Sequence, residues 1–256
     1  MLESISLSWH ITRRNWTVYK KDFIANISPT FADPLFFILS LGFGLGAFIP
    51  QVGGRTYLQF LAPGLAVSTA MMTSFFETSY GFYVRMTFEN VYKAMLTTPI
   101  NPREVLVGEF IWVALKGACM CLGVTLVFVA FGLVNDLRLL PLALWIGALV
   151  ALGCGAIGLL ASSYVRNINQ FQTVYSFFIS PLFFFSGIFF PIEQLPAPAL
   201  WIAYAFPLAH GVKLAQAIYW NVNVGEALVV HSAALIAQAA ILGVLAVRSM
   251  SRKLTN

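Results

Sequence analysis

VLVGEFIWVALKGACMCLGVTLVFVAFGLV, residues 105–134, is a thirty-residue run that carries only two charges, Glu109 and Lys116. A helix of roughly 20 mainly apolar residues crosses the hydrocarbon of a bilayer, so this stretch is long enough to span a membrane. The rest of the chain agrees with it. Of the 256 residues 59% are hydrophobic and 10% charged, against roughly 25% charged in ordinary soluble domains, and a soluble globule has no place to hide that much apolar surface. Twenty-three Phe and six Trp suit a protein whose solvent is partly hydrocarbon, where rings pack helices and sit at the interfaces.

Working outward from 105–134, further windows of spanning length lie near 30–49, 57–83, 139–165, 171–191 and 226–247. The apolar stretch 197–220 is ambiguous, because it carries Pro207, His210 and Lys213 and is bracketed by Pro196, Pro198 and Asn221. Charge decides between six and seven spans. With six spans and the N-terminus inside, eleven basic residues face the cytoplasm: Arg13, Arg14, Lys20, Lys21, Arg85, Lys93, Arg103, Arg166, Arg248, Arg252 and Lys253. Three, Arg55, Arg138 and Lys213, face outward, and Lys116 lies within a span. That bias obeys the positive-inside rule; a seventh span would reduce it to eight against six. The expected architecture is an all-α polytopic membrane protein forming a single transmembrane domain. An interfacial helix occupies 1–26, spans one to five lie within 27–192 with a cytoplasmic loop at 85–104, a re-entrant or external hairpin follows at 193–225, and the sixth span and a cytoplasmic tail occupy 226–256.

Before the first span, Ile5, Trp9, Thr12, Trp16, Tyr19 and Phe23 recur at helical spacing with Arg13, Arg14, Lys20 and Lys21 to the sides. This is the pattern of an amphipathic helix lying in the membrane interface, aromatic face down. Asp33-Pro34 is the expected break into the first span, since the residue before proline avoids the helical region. The first apolar run starts too late, and lacks the small-residue cleavage site, for a signal peptide, so it is expected to remain as a span.

The chain has no phosphate-binding GxxxxGK[ST], no HExxH and no GxSxG. His10, His210 and His231 offer no ligand spacing and read as hydrogen-bonded or interfacial side chains. Cys119, Cys121 and Cys154 sit in apolar runs without CxxC spacing, so no metal site is expected. The basic residues fall in short patches beside apolar runs, which argues against nucleic acid.

Ionisable groups within spans are costly and face a cavity or a partner. Glu77, Glu109 and Lys116 qualify. Consecutive antiparallel spans are usually neighbours, so Glu77 is placed to meet Lys116, near the midplane. Such a pair either orients two helices or lines a substrate path. The fifth window is dense in aromatics, among them Phe171, Tyr175, Phe178 and Phe185, with Pro181 expected to kink it; these rings suit packing, lipid contact or substrate lining. In FENVYKAMLTTPINPRE, 88–104, Phe88, Val91, Tyr92 and Met95 recur at helical spacing and Pro99 stops the helix. Its apolar face needs a partner or the membrane surface.

At this loop the sequence resembles the permease family of type-2 ABC exporters, and especially the rhizobial nodulation-factor (lipooligosaccharide) exporter permeases. The segments that carry the likeness are YLQFLAPGLAVSTAMMTSFFETSYGF at 57–82, YKAMLTTPINPREVLVGEFIWVALKGA at 92–118, SPLFFFSGIFFPIEQLP at 180–196 and PLAHGVKLAQ at 207–216. The resemblance implies a six-span, non-catalytic half-transporter in the bacterial inner membrane with both termini cytoplasmic. It implies a homodimer bound to two copies of a separate ATPase subunit, which holds the ATP and Mg, and membrane lipids around it. The segment with Phe88, Glu89, Val91, Tyr92 and Met95 would be the helix that couples to the ATPase. The dimer contact and pathway would involve the first and fifth spans, so that Phe171, Tyr175, Phe178 and Phe185 are candidates for either. Related permeases handle drugs, O-antigen, teichoic acid and other lipid-linked glycans. The rival readings are a drug-efflux permease of the same fold, a polytopic membrane enzyme acting on lipids, which would need paired acids or a His near one interface, and a self-contained channel.

Overall fold

The computed structural model describes residues 2–42, 44–49, 51–133 and 139–255, with the side chains of 2–5, Ala47 and Leu139 left aside; Arg138 and the Ile5 side chain therefore lie outside the described residues. The elements are helical but for a two-residue hairpin, Gln51–Val52 with Arg55–Thr56. Its loop, Gly53-Gly54, has φ of 60° and 78°, the positive values that a tight hairpin needs and glycine supplies.

Helix α1 (Leu2–Lys21) ends at Asp22, and α2 (Phe23–Phe37) continues into a π-helical turn at Ile38–Gly42. Helix α3 (Tyr57–Phe76) starts on a capping box between Thr56 and Gln59 and runs through a π-turn, Glu77–Gly81, into α4 (Phe82–Thr87). After a left-handed Asn90, φ 52°, comes the short α5 (Val91–Leu96). A second capping box, Asn101 with Glu104, and a first-turn Pro102 open α6 (Pro102–Ala130). Helix α7 is Leu139–Tyr164. Then α8 (Gln170–Val174), a π-turn (Tyr175–Ile179) and α9 (Ser180–Phe185) form one interrupted helix. Helices α10 (Ala197–Tyr204), α11 (Pro207–Trp220) and α12 (Val224–Thr255) complete the chain.

Among the described residues five segments are long and apolar enough to cross a membrane: Phe23–Gly42, Tyr57–Thr87, Pro102–Ala130, Leu140–Tyr164 and Val224–Thr255. The fold is thus that of an all-α multi-pass membrane protein. The aromatic window at 171–191 is helical only to Phe185, because the chain turns at Ser186 and at Gly187, φ 87°. The expected break at Asp33-Pro34 is not there: α2 runs through Pro29 and Pro34, and the chain breaks at Asp22 instead. In hydrocarbon every freed backbone group costs several kcal/mol, so a helix tolerates a proline more readily than an unwound segment.

Helix α3 packs against α6, α7 and α11, and α7 against α6, α12, α3 and α11; Phe60, Leu61, Leu65, Val67, Met71 and Phe75 of α3 fill the core between them. Where helices cross closely, glycine permits it. A Cβ on Gly147 would lie 2.7 Å from Cys121 Cβ and 2.9 Å from the Gly117 carbonyl oxygen, which draws α6 and α7 together.

Helix α1 runs alongside the first half of α6 with a constant offset. The Ser8 and Thr12 hydroxyls donate to the carbonyls of Glu104 and Gly108, and Trp16 meets Trp112. The buried face of α1 is Ser8, Ile11, Thr12, Asn15 and Tyr19, whereas Trp9, Trp16 and Phe23 point outward. The expected aromatic stripe is therefore divided: Ser8 and Thr12 allow close approach to α6 and the Tyr19 ring packs against Trp112, while Trp9, Trp16 and Phe23 keep much of their surface exposed.

Helices α10 and α11 form a hairpin. Its turn is at mid-height, where Pro207 abuts Gly153 of α7, and α11 ends at Asn221 beside the start of α3, where Arg55 donates to the Trp220 carbonyl. At the turn, the Tyr204 carbonyl accepts from Gln238 and contacts His210 Nε2 at 3.1 Å. His210 and His231, far apart in sequence, pair at 3.0 Å and tie α11 to α12.

Candidate functional site

The intramembrane charges converge. Lys116 Nζ donates to Glu77 Oε2 at 2.6 Å, as neighbouring antiparallel spans suggested. Arg85, one turn beyond Glu77's π-turn, donates to Glu77 Oε1 at 2.7 Å and to Glu109 Oε2 at 3.0 Å. Tyr92 of α5 donates its hydroxyl proton to Glu109 Oε1 at 2.8 Å and accepts from Arg85 Nε at 3.0 Å. Every carboxylate oxygen in the cluster has a partner, and two acids balance two bases. A buried ion network holds only when its lone pairs are satisfied in this way. Lys116 is also 4.7 Å from the centre of the Tyr19 ring, which attracts its charge.

Position in the bundle follows from helix length. Lys116 is the midpoint of α6, and Glu109, seven residues earlier, is about 10 Å nearer the α5 end at 1.5 Å per residue. The cluster therefore occupies the half of the bundle that faces α5. Three of its members form the floor of a cavity of about 730 Å³ lined by α1, α2, α3, α6 and the α8–α9 helix. Glu77, Arg85 and Lys116 are these three, and Arg14 and Asp33 also line the cavity. Phe37, Phe76, Tyr175, Phe183 and Phe184 give it an aromatic wall. Of the elements that line it, α2, α3 and the α8–α9 helix each contain or run into a π-turn, whereas α6, which contributes Trp112 and Lys116, contains none among the described residues. Such turns are frequent where helices serve a function.

The structure separates the other expected site residues. Tyr175 lines the cavity. Phe171 does not; it is buried against Tyr83, ring centres 5.3 Å apart. Phe178 and Phe185 are exposed and do not line the cavity. In the loop, Phe88 and Glu89 are exposed, and Val91 and Met95 half-buried. Tyr92 is fully buried and stacks on Phe82 at 4.4 Å, so it belongs to the charge cluster and not to an outer face. Burial, then the adjacent Glu109 carboxylate, push its hydroxyl well above the ordinary tyrosine range, which keeps it a donor. Arg85 and the inward Tyr92 are the members that sequence reasoning missed; the signal for Arg85 was its place eight residues after Glu77, two helical turns along the same face.

Among the described residues no group of three His, Cys, Asp or Glu side chains is placed to hold a metal ion. The arrangement offers binding surface and a mechanical link, a charged floor tied through Tyr92 to a short helix at one end of the bundle.

Comparison with known proteins gives the same class. The family profile described as ABC-2 type transporter matches residues 6–220. The chain is 34% identical over 214 residues to Nodulation protein J of Rhizobium leguminosarum bv. trifolii, covering 83% of this chain and 81% of the relative. It is 31% identical over 208 residues to Nodulation protein J of Rhizobium meliloti (strain 1021), covering 81% and 79%. With Inner membrane transport permease YadH of Escherichia coli (strain K12) it shares 23% identity over 173 residues, 66% and 65% of the two chains. No solved structure matches it.

Proposed function

The chain belongs to the ABC-2 type transporter family, and from that premise we propose that it moves an amphipathic substrate, a lipooligosaccharide or lipid-linked glycan, outward across the bacterial inner membrane. It is the non-catalytic permease subunit of an ABC transporter and works with an ATPase partner. In the proposed mechanism two copies of this chain form a homodimer on two ATPase subunits, which bind ATP and Mg and drive alternating access. The α8–α9 helix acts as a sixth, short span. The α10–α11 hairpin is re-entrant, supported by its turn at mid-height and by Gln238 and His210 at the Tyr204 carbonyl. Both termini and the loop with α5 face the cytoplasm, as the distribution of basic residues favours.

The observation that carries this reading is the cavity itself: a charged floor for a polar head, an aromatic wall for an apolar body, and a bond from that floor to α5. Tagged protein purified from its native membrane should retain an ATPase subunit with a phosphate-binding loop. Because Tyr92 is internal, the contact is tested on the exposed side with Phe88→Asp and Lys93→Glu, which should release the ATPase from a folded permease. If no ATPase ever co-purifies, the exporter reading fails. A second reading, efflux of small amphiphiles, draws support from the cavity volume, which lies in the range of drug-sized sites. Stimulation of the reconstituted complex's ATPase by a lipooligosaccharide, and not by an amphiphilic dye, favours the first; the converse favours the second.

A further inference from the structure

A second groove, of about 860 Å³, runs on the opposite flank of the bundle between α6, α7 and α12. Its body is apolar and its end is basic. Ile236, Ala239 and Ala240 begin it near the midpoint of α12, level with Leu149 and Leu152 in the middle of α7. It ends at Arg103, Arg248 and Arg252. From Ile236 to Arg252 is sixteen residues of α12, about 24 Å at 1.5 Å per residue, which matches one leaflet from midplane to headgroup. The three arginines are exposed, and the four ion pairs among the described residues include none of them. The carboxylate beside Arg103 in sequence, Glu104, bonds the Asn101 backbone. At the same end the Ser251 hydroxyl is buried and has no hydrogen-bond partner in the protein.

We infer that this groove is a binding site for an acidic phospholipid of the cytoplasmic leaflet, with the arginines on its phosphate and one acyl chain along the small residues of α12. The inference rests on the cytoplasmic orientation proposed above for the basic ends. The occupant's chemistry follows from the groove. Three unpaired guanidinium groups select an anion and form bidentate contacts with phosphate, and basic pockets between spans on the cytoplasmic side suit anionic headgroups. The apolar body excludes a free phosphate as the whole ligand. Ala239, Ala240 and Gly243 leave a trough where larger side chains would fill it, and a Cβ built on Gly243 meets nothing within 4 Å.

That open space gives a variant that keeps its fold. Gly243→Leu projects into the groove and replaces a poor helix former with a good one. The full-length protein is purified in mild detergent, exposed to dioleoylphosphatidylglycerol or dioleoylphosphatidylcholine, and its retained lipids are counted by native mass spectrometry. The native protein should retain the glycerol lipid over the choline lipid by at least about tenfold, three basic side chains acting together. Arg103→Gln with Arg248→Gln and Arg252→Gln should abolish the preference, and Gly243→Leu should remove one retained molecule of either lipid, with melting temperatures no lower than that of the native protein. The inference is overturned if the native protein does not discriminate, if the preference survives the triple change, or if Gly243→Leu retains its full lipid complement. It is also overturned if the triple change releases an ATPase subunit while lipid retention stays as in the native protein, since the arginines then serve a protein contact.

Discussion

Glu109 is 1% exposed and holds two elements at once, Arg85 at the end of the second span and Tyr92 in α5. Glu109→Ala should leave the Arg85 guanidinium with one carboxylate, Glu77, in place of two and take away the acceptor of the buried Tyr92 hydroxyl. We expect a loss of about 3 kcal/mol, which for a domain of this size lowers the melting temperature by about 10 °C. A melting temperature unchanged from native would mean that the cluster does not hold α5. Lys116→Met poses a different question, because Glu77 keeps Arg85 as a partner. Normal folded yield with lost transport would show that Lys116 serves the path; yield and transport falling together would show that it only orients helices. The Glu77–Lys116 contact was legible in the sequence because ionisable residues in apolar runs must find each other. Tyr92's direction was not. Its spacing from Phe88 looked helical, but the left-handed Asn90 lies between them, so Phe88 and Tyr92 are not on one helix and no common face exists.

At the level of elements, the same limit applies to α1. Its helix and its aromatic periodicity were legible, but which face turns inward depends on what α6 presents, and α6 presents Gly108. A Cβ there would sit 2.6 Å from the Ser8 carbonyl oxygen and 2.8 Å from Ile11 Cβ. Gly108→Ala should therefore push α1 off α6, at a cost of about 1–3 kcal/mol for the overpacked contact. Hydrogen exchange should rise over the α1 amides and not in α7; equal protection in native protein and variant would show that α1 is held elsewhere. The extent of the aromatic window was misjudged for a comparable reason. Hydropathy registers Phe189 and Phe190 as apolar, but Gly187's positive φ ends the helix before them.

For the whole molecule, helix contacts constrain orientation more tightly than composition. Because α1 and α6 run parallel in a fixed register, the N-terminus lies at the α5 end of the bundle. Lys253 donates to the carbonyls of Ser162 and Val165 at that same end, so the C-terminus joins it. In a background with Cys119, Cys121 and Cys154 changed to Ala, Gln51→Cys should react with an impermeant maleimide on intact spheroplasts, and Thr255→Cys only after permeabilisation. The reverse pattern would invert the assignment of sides. The all-α multi-pass class was legible because it depends on totals; the cavity was not, since it arises where separate stretches of chain meet, among them α2, α3 and the α8–α9 helix. Each of these three has a π-turn, and such a turn is one residue of slack in an otherwise continuous screw. Slack of this kind can travel. Moving it along a helix by a turn turns the intervening thread by about 100° and advances it by about 1.5 Å, with no net hydrogen bond given up to hydrocarbon. A wall built on such threads can change the side chains it displays by a phase slip, where a regular helix would have to unwind.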